Sequence, residues 1–237
     1  MSNIVSLAST DIWTESSIQQ HPLGAKGETG DGRIFRYGKT AEAITIGYLA
    51  VAPSIDTATI TQAVTSTAAI GTKKITFTHG ASTSTANEYA EGWATISFGT
   101  GIGQTLKIAS HLAFTSGGTS SVLNLEDPLL VALDTTSKLD LTHNPYNGVQ
   151  MTTSATTVPA GVALRSFTSA YYGWFQTRGV VGLFADATIA AGYEFVADGS
   201  VSGGIDVTGT DAQQIKLGNA IQAGAQNYAH AVFLMID

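Results

Sequence analysis

The sequence predicts an all-β protein: β-barrel or small β-sandwich units with an extended N-terminal arm and little or no helix. Three observations predict it. Gly, Ala, Ser and Thr dominate, while Lys, Glu, Gln and Arg, the long side chains that clothe surface helices, are scarce. Thr suits a half-exposed pleated surface. The apolar runs are short, often alternate with period two, and end at Gly, Asn, Asp or Pro. No long 3.6-residue pattern with a charged outer face is present.

Taken in order, residues 1–32 read as an extended arm. Trp13 is the aromatic anchor of an otherwise polar stretch, and Gly24 to Gly32 mimics collagen triplets but is too short and lacks the proline repeat. Residues 33–37 (Arg-Ile-Phe-Arg-Tyr) alternate as a strand, and 44–52 form a more buried one. Lys74 to Thr78 is strand-like, and Gly80 to Asn87 has turn composition. Residues 33–87 thus make the first part of a β-domain. Trp93 to Phe98 and Gln104 to Ile108 read as a hairpin around the turn Gly99-Thr100-Gly101-Ile102-Gly103. Ser121 to Leu125 alternates, and Asn147-Gly148 marks a tight turn. Residues 88–150 read as a β subdomain or insertion. Residues 151–237 complete the β-domain, with strands at 161–164, 171–177, 192–196 and 231–236. Residues 212–223 fit a short helix or, given Gly218 and Gly224, a strand pair. A weak repeat joins residues 43–52 to 187–197, each with a Gly-Tyr pair in an apolar run.

Composition narrows function by exclusion. The 237 residues are 43% hydrophobic and only 12% charged, against about 25% charged in typical domains. Eleven Lys and Arg face 18 Asp and Glu, for a net charge of −7. Polyanions are held by clustered Lys and Arg, so no nucleic-acid partner is expected. The absence of cysteine excludes disulfides, thiolate metal sites and cysteine nucleophiles. Met1 to Thr10 lacks the features of a signal peptide, and the longest apolar stretch, 44–55, is interrupted and too short for a membrane helix. Synthesis in a cytoplasm and no membrane partner are expected.

No catalytic motif appears, and neither an enzyme nor a cofactor is expected. The glycines at 99–103 fit neither a phosphate loop nor a dinucleotide fingerprint, because Gln104 opens a strand and not a helix. His21, His79, His111, His143 and His230 show no local metal-ligand spacing, so each reads as a loop or sheet residue. Asp198, Asp206 and Asp211 lie among glycines without EF-hand spacing. Glu126-Asp127 point to opposite faces if on a strand, which makes them a poor glycosidase pair. No metal site is expected.

The aromatic run Tyr171-Tyr172-Gly173-Trp174-Phe175 allows three readings. Alternation sets Tyr172 and Trp174 on one face and Tyr171 and Phe175 on the other. The strand is a core strand with one aromatic face, or is buried on both faces with one against a partner subunit, or forms a carbohydrate platform. Arg36 either contacts a partner or makes an internal ion pair. Trp13, Arg36, Tyr37, Tyr171, Tyr172 and Trp174 are the candidate interface residues.

Several blocks together resemble head structural proteins of tailed bacteriophages. They are Asp31 to Tyr37 with Gly47-Tyr48-Leu49, Ala90 to Trp93 through Gly103 to Ile108, Asp127-Pro128-Leu129 through Asn144 to Val149, Tyr172 to Thr177 with Gly179, and Leu217 to Ala220 through Val232 to Leu234. The resemblance implies a capsid decoration (cement) protein. Such a protein binds the outer surface of the assembled head, clamps neighbouring subunits of the major capsid protein, and is often a homotrimer. It implies residence in the virion after assembly in the host cytoplasm. The chain is longer than the single-barrel members of that group. Other readings are a different virion subunit, such as a major capsid or tail-tube protein, and a carbohydrate-binding adhesin or glycan hydrolase.

Overall fold

The computed structural model describes residues 4–153, 157–208 and 214–237. Among the described residues, eighteen strands and two 3-10 turns (Asp11–Trp13 and Thr57–Thr59) make up the regular structure. The all-β expectation holds. The chain forms two compact units, one from residues 1–54 and 145–237 and one from residues 55–144.

The first unit begins with β1 (Val5–Leu7), β2 (Glu15–Ser16), β3 (Lys26–Thr29), β4 (Ile34–Thr40) and β5 (Leu49–Val51). The inserted unit holds β6 (Gln62–Ala63), β7 (Lys74–Phe77), β8 (Trp93–Phe98), β9 (Thr105–His111), β10 (Ser121–Leu125) and β11 (Lys138–Thr142). The first unit resumes with β12 (Asn147–Val149), β13 (Pro159–Ala163), β14 (Tyr172–Ala185), β15 (Glu194–Ala197), β16 (Ile205–Val207), β17 (Lys216–Ala220) and β18 (Tyr228–Met235).

The 14-residue β14 is the spine of the first unit. Its C-terminal half pairs with β18, and Ala185 pairs with Ile205, so β14, β16, β15, β17 and β18 close a ring. Its N-terminal half carries β4 on one edge and β13 on the other. β13 pairs with β5, Val51 bridges Gln150, and β12 pairs with β4, which closes a second ring. Alternation, shifted by one residue at the irregularity between Gln176 and Arg178, then decides the packing. Trp174, Val181 and Leu183 enter one core with Phe35, Phe195 and Leu234, while Phe175 enters another with Ile44, Val149 and Phe167.

The inserted unit is an antiparallel barrel ordered β6-β11-β8-β9-β10-β7. The Val64–Phe77 bridge closes it, with Thr65 N–H donating to the Thr76 carbonyl and Thr78 N–H to that of Ala63. Closure leaves no edge strand for stray pairing. Its core alternates inward from every long strand: Ile75 and Phe77, Ala94 and Ile96, Leu106 and Ile108, Leu123 and Leu125, Leu139 and Leu141. The expected hairpin is β8–β9, with Trp93 opposite Lys107. Gly99 has φ +76, and a Cβ there would stand 2.3 Å from the Thr136 carbonyl oxygen. The glycine cluster is therefore the turn that the sequence predicts.

Three boundaries differ from expectation. The inserted unit starts at 55 and not 88, because β6 and β7 close the same barrel as β8–β11. Residues 1–32 are not a free arm in their described part. They are largely extended, but β1 pairs parallel with β3, β3 pairs with β4, and Leu7 and Ile12 are buried in the core. The Asn147-Gly148 turn is strand β12, with Gly148 at φ +90. In the 212–223 stretch, residues 216–220 form a strand, while 212–213 lie outside the described residues, as does Asp211.

The weak Gly-Tyr repeat has a physical basis. Ile44 pairs with Phe167, and Ile189 with Gly224, as isolated antiparallel bridges. Three residues after each comes a left-handed residue, respectively Gly47, Ala170, Gly192 and Asn227, followed each time by a tyrosine. One turn-into-strand motif is thus used four times in this unit. The Ala68, Ser84 and Phe114 bridges of the barrel lead to Gly71, Asn87 and Gly117 in the same way.

Candidate functional site

The first unit gathers three of the six candidate interface residues. Tyr37 on β4 and Trp174 on β14 are cross-strand partners, so their rings meet at 5.1 Å, edge to face. Tyr172 lies parallel to Tyr37 with centroids 6.2 Å apart, and His21 lies 5.2 Å from both Tyr37 and Trp174. Tyr37 and Trp174 are only 2% and 3% exposed. The N-terminal half of β14 is thus buried on both faces, and this chain itself covers both. The rings do not form an exposed carbohydrate platform. They border a cavity of about 320 Å³ whose other walls come from the N-terminal segment, including Asp11, Glu15 and His21. Burial pushes the Tyr37 hydroxyl pKa up, while the hydrogen bond it accepts from Gln20 N–H opposes the rise.

The other three stand apart from this cavity. Arg36 makes the internal ion pair of its two readings: Nε and Nη2 reach the two Asp237 oxygens at 2.6 and 2.8 Å, and Nη1 donates to the Gly24 carbonyl. That pair raises the Arg36 pKa and lowers that of Asp237. Tyr171 is half-buried, and its backbone bonds Thr40. Trp13 is 49% exposed, while its carbonyl accepts from Arg165.

The barrel brings together what the sequence kept apart. Antiparallel alternation sends the β7–β8 and β9–β10 connections to the same end as the segment entering β6 and the exit from β11. His79, His111 and His143 converge there around Tyr89. Tyr89 stacks on His143 at 4.3 Å, and His111 stacks on Phe114 at 4.3 Å. His143 Nε2 is 3.4 Å from Glu88 Oε1. Burial pushes the pKa of His79 and of His111 down. His79 Nε2 lies 3.3 Å from Ser84 Oγ, but both residues are buried and His79 Nδ1 has no hydrogen-bond partner among the described residues. The orienting link of a nucleophile–base–acid triad is missing from this pair. Among the described residues no group of three His, Asp or Glu is placed to hold a metal ion. This end is a packed aromatic plug.

The opposite end is apolar and exposed. The β6–β7, β8–β9 and β10–β11 connections meet there and present Ile70, Phe98, Ile102, Leu130 and Val131, each between 46% and 77% exposed. The loops are pinned to one another. Gly71 N–H donates to the Leu129 carbonyl, and Leu129 N–H to that of Thr72, both at 2.9 Å. Gln104 Oε1 accepts from Leu130 and Val131 N–H at 3.0 and 2.9 Å, while its Nε2 donates to the carbonyls of Val131 and Gly101. Exposed apolar side chains on hydrogen-bonded loops have the character of a protein-docking surface. Sequence reasoning missed it. Its one signal was the run Leu129-Leu130-Val131 between turns, where three consecutive side chains cannot all point inward.

No helix among the described residues is long and apolar enough to cross a membrane. No family model, curated protein sequence or solved structure matches the chain.

Proposed function

We propose that this chain is a decoration (cement) protein of a tailed-bacteriophage head. In this reading it binds the outer surface of the assembled shell as a homotrimer and clamps adjacent subunits of the major capsid protein, with no cofactor and no turnover. The ordered sequence blocks that resemble phage head proteins motivate it. The observation that supports it best is the barrel tip, where a hydrogen-bonded frame holds five large apolar side chains toward solvent. A preorganised surface docks without first ordering its loops, and many copies on a lattice let weak contacts suffice. The net charge of −7 suits an outer position better than one against packaged DNA.

Co-sedimentation with purified heads lacking the protein tests the reading, with light scattering to give its free oligomeric state. The expected result is saturable binding at a fixed ratio to the shell protein. Leu130→Asp or Ile102→Asp should weaken that binding at least tenfold, since each places a charge in the docking surface without touching the core. No binding to heads, or spontaneous growth into tubes or shells, would overturn it in favour of another virion subunit.

A further inference from the structure

The loop between β15 and β16 carries an inference independent of the docking reading. We infer that it binds a calcium ion, held by Asp198 and Asp186.

Ile205 of β16 stands opposite both Ala185 of β14 and Ala197 of β15, so the residues that follow those two, Asp186 and Asp198, come near one another. Ser200 joins them. Its Oγ lies 2.7 Å from Asp198 Oδ1 and 3.2 Å from Asp186 Oδ2. A hydroxyl carries one hydrogen, so it donates to only one of the two carboxylates. The other contact sets two oxygens face to face with no proton between them. Neither carboxylate has an ion-pair partner among the described residues. Asp198 is only 2% exposed. Its Oδ1 also accepts from Ser200 N–H at 2.6 Å, while Oδ2 is buried with no hydrogen-bond partner among the described residues. A carboxylate oxygen buried in that state carries its desolvation cost in full unless a cation offsets it. Oδ2 faces Gly204, where a Cβ would stand 3.4 Å from it and 3.3 Å from the Val201 carbonyl oxygen. The missing side chain thus leaves open a spot that two oxygens share.

Donor chemistry and spacing narrow the ion. The donors are all oxygens: two carboxylates, the Ser200 hydroxyl and the Val201 carbonyl. Hard cations take such a set, whereas zinc and copper favour nitrogen and sulfur. With two acids and not three, water completes the shell, and exposed Ser200 and half-buried Asp186 keep one side of the cluster open to solvent. Asp198, Ser200 and Ser202 place oxygen-bearing side chains at alternate positions before Gly203, which is left-handed at φ +74. That is the order of the first half of a calcium loop, whose sixth residue is a glycine at a sharp turn. The closing Glu of such a loop does not follow, and Asp186 comes from another strand, so the sequence alone shows no site. Calcium accepts an irregular, partly hydrated shell, while magnesium demands a near-ideal octahedron.

The test is isothermal titration of the full chain, stripped with EGTA and dialysed, with calcium chloride and with magnesium chloride, against sodium chloride at matched ionic strength. One saturable calcium site per chain is expected, with a Kd on the order of 0.1–1 mM, the range of calcium modules with few charged ligands. Magnesium should bind at least tenfold more weakly and sodium not at all. Asp198→Asn keeps the shape of the buried side chain, and Asp186→Asn alters a half-buried one beyond the end of β14, so circular dichroism should show both folded. Each should weaken calcium binding about tenfold or more, the effect of losing one of two ligand charges. Absence of a saturable calcium site in the wild type would overturn the inference. So would unchanged affinity in folded Asp186→Asn, or magnesium binding as tight as that of calcium.

Discussion

The backbone N–H of Tyr89 donates to Nε2 of His111 at 2.9 Å, while Nδ1 of the same ring lies 2.7 Å from the Leu112 carbonyl oxygen. A carbonyl only accepts and a backbone N–H only donates. The His111 proton therefore sits on Nδ1, and the ring is neutral. Protonation at Nε2 would set two donors against each other in a buried site.

A pH dependence of stability follows. Burial holds the pKa of both His79 and His111 below the ordinary histidine value, so the unfolded chain binds protons more tightly. The stabilisation is fully present above about pH 6.5 and is lost as pH falls below that value toward the depressed folded-state pKa. Urea midpoints should decline between pH 7 and pH 5. His111→Gln, whose side-chain oxygen can still accept from Tyr89, should flatten the decline. The depressed carboxyl of Asp56 acts lower, below its ordinary 3.8, outside this window. An unchanged slope in the variant would assign the effect elsewhere.

Arg36 and Asp237 join β4 to the residues after β18 through a bidentate, half-buried pair. Thr177 Oγ1 also donates to Asp237. A double-mutant cycle with Arg36→Ala and Asp237→Asn should give a coupling of about 1–2 kcal/mol, above the usual surface pair because of the fork geometry. A coupling near zero in denaturant unfolding would reduce the pair to an exposed contact.

The repeated turn motif gives a matched pair of substitutions. Ala170 stands at φ 65 where its counterparts are Gly47, Gly192 and Asn227. Ala170→Gly should stabilise by up to about 1 kcal/mol, since relief of left-handed strain exceeds the added unfolded-state freedom. Gly192→Ala should destabilise by about 1 kcal/mol through strain alone, because a Cβ there meets nothing within 4 Å. Thermal unfolding of both variants checks the opposite signs.

Residues 55–144 should fold when expressed alone. They close their own barrel, hold their own core, and Thr59 near the entry hydrogen-bonds the Leu141 carbonyl near the exit. Near-ultraviolet circular dichroism and a cooperative urea transition would show it. An unfolded product would mean that the barrel needs the rest of the chain.

The strand-rich character, the β8–β9 hairpin and the aromatic β14 were legible in sequence because local alternation and turn glycines encode them. β14 was only half legible. Beyond Thr177, Arg178, Gly179 and Gly182 break the apolar alternation, and pairing with β18 holds the strand together. β1 was missed because it is only three residues long and pairs non-locally with β3, and β3 because its residues, Lys-Gly-Glu-Thr, carry no apolar side chain. The Tyr172–Trp174 face was readable from period two, and Tyr37 joins it through β4–β14 register, which no local pattern specifies. The histidine plug was invisible for the same reason. His79 follows β7, His111 ends β9 and His143 follows β11, and only barrel topology brings those strand ends together.

The insertion also bears on the loop that the first unit must close. Val51 pairs with Gln150, and Ser54 Oγ accepts from Gln150 Nε2 at 3.1 Å, so the first unit must bring together points on either side of 55–144. With that segment unfolded, closure spans a long flexible loop. Once the barrel forms, the hydrogen bond between Thr59 and Leu141 ties its two ends, and the effective loop shrinks to a few residues. The barrel's β8–β9 and β9–β10 hairpins are short-range, whereas its β6–β11 and β7–β10 pairs and the pairing of β4 with β14 are long-range. A barrel that forms first leaves the parts that flank it to assemble around a closure already made.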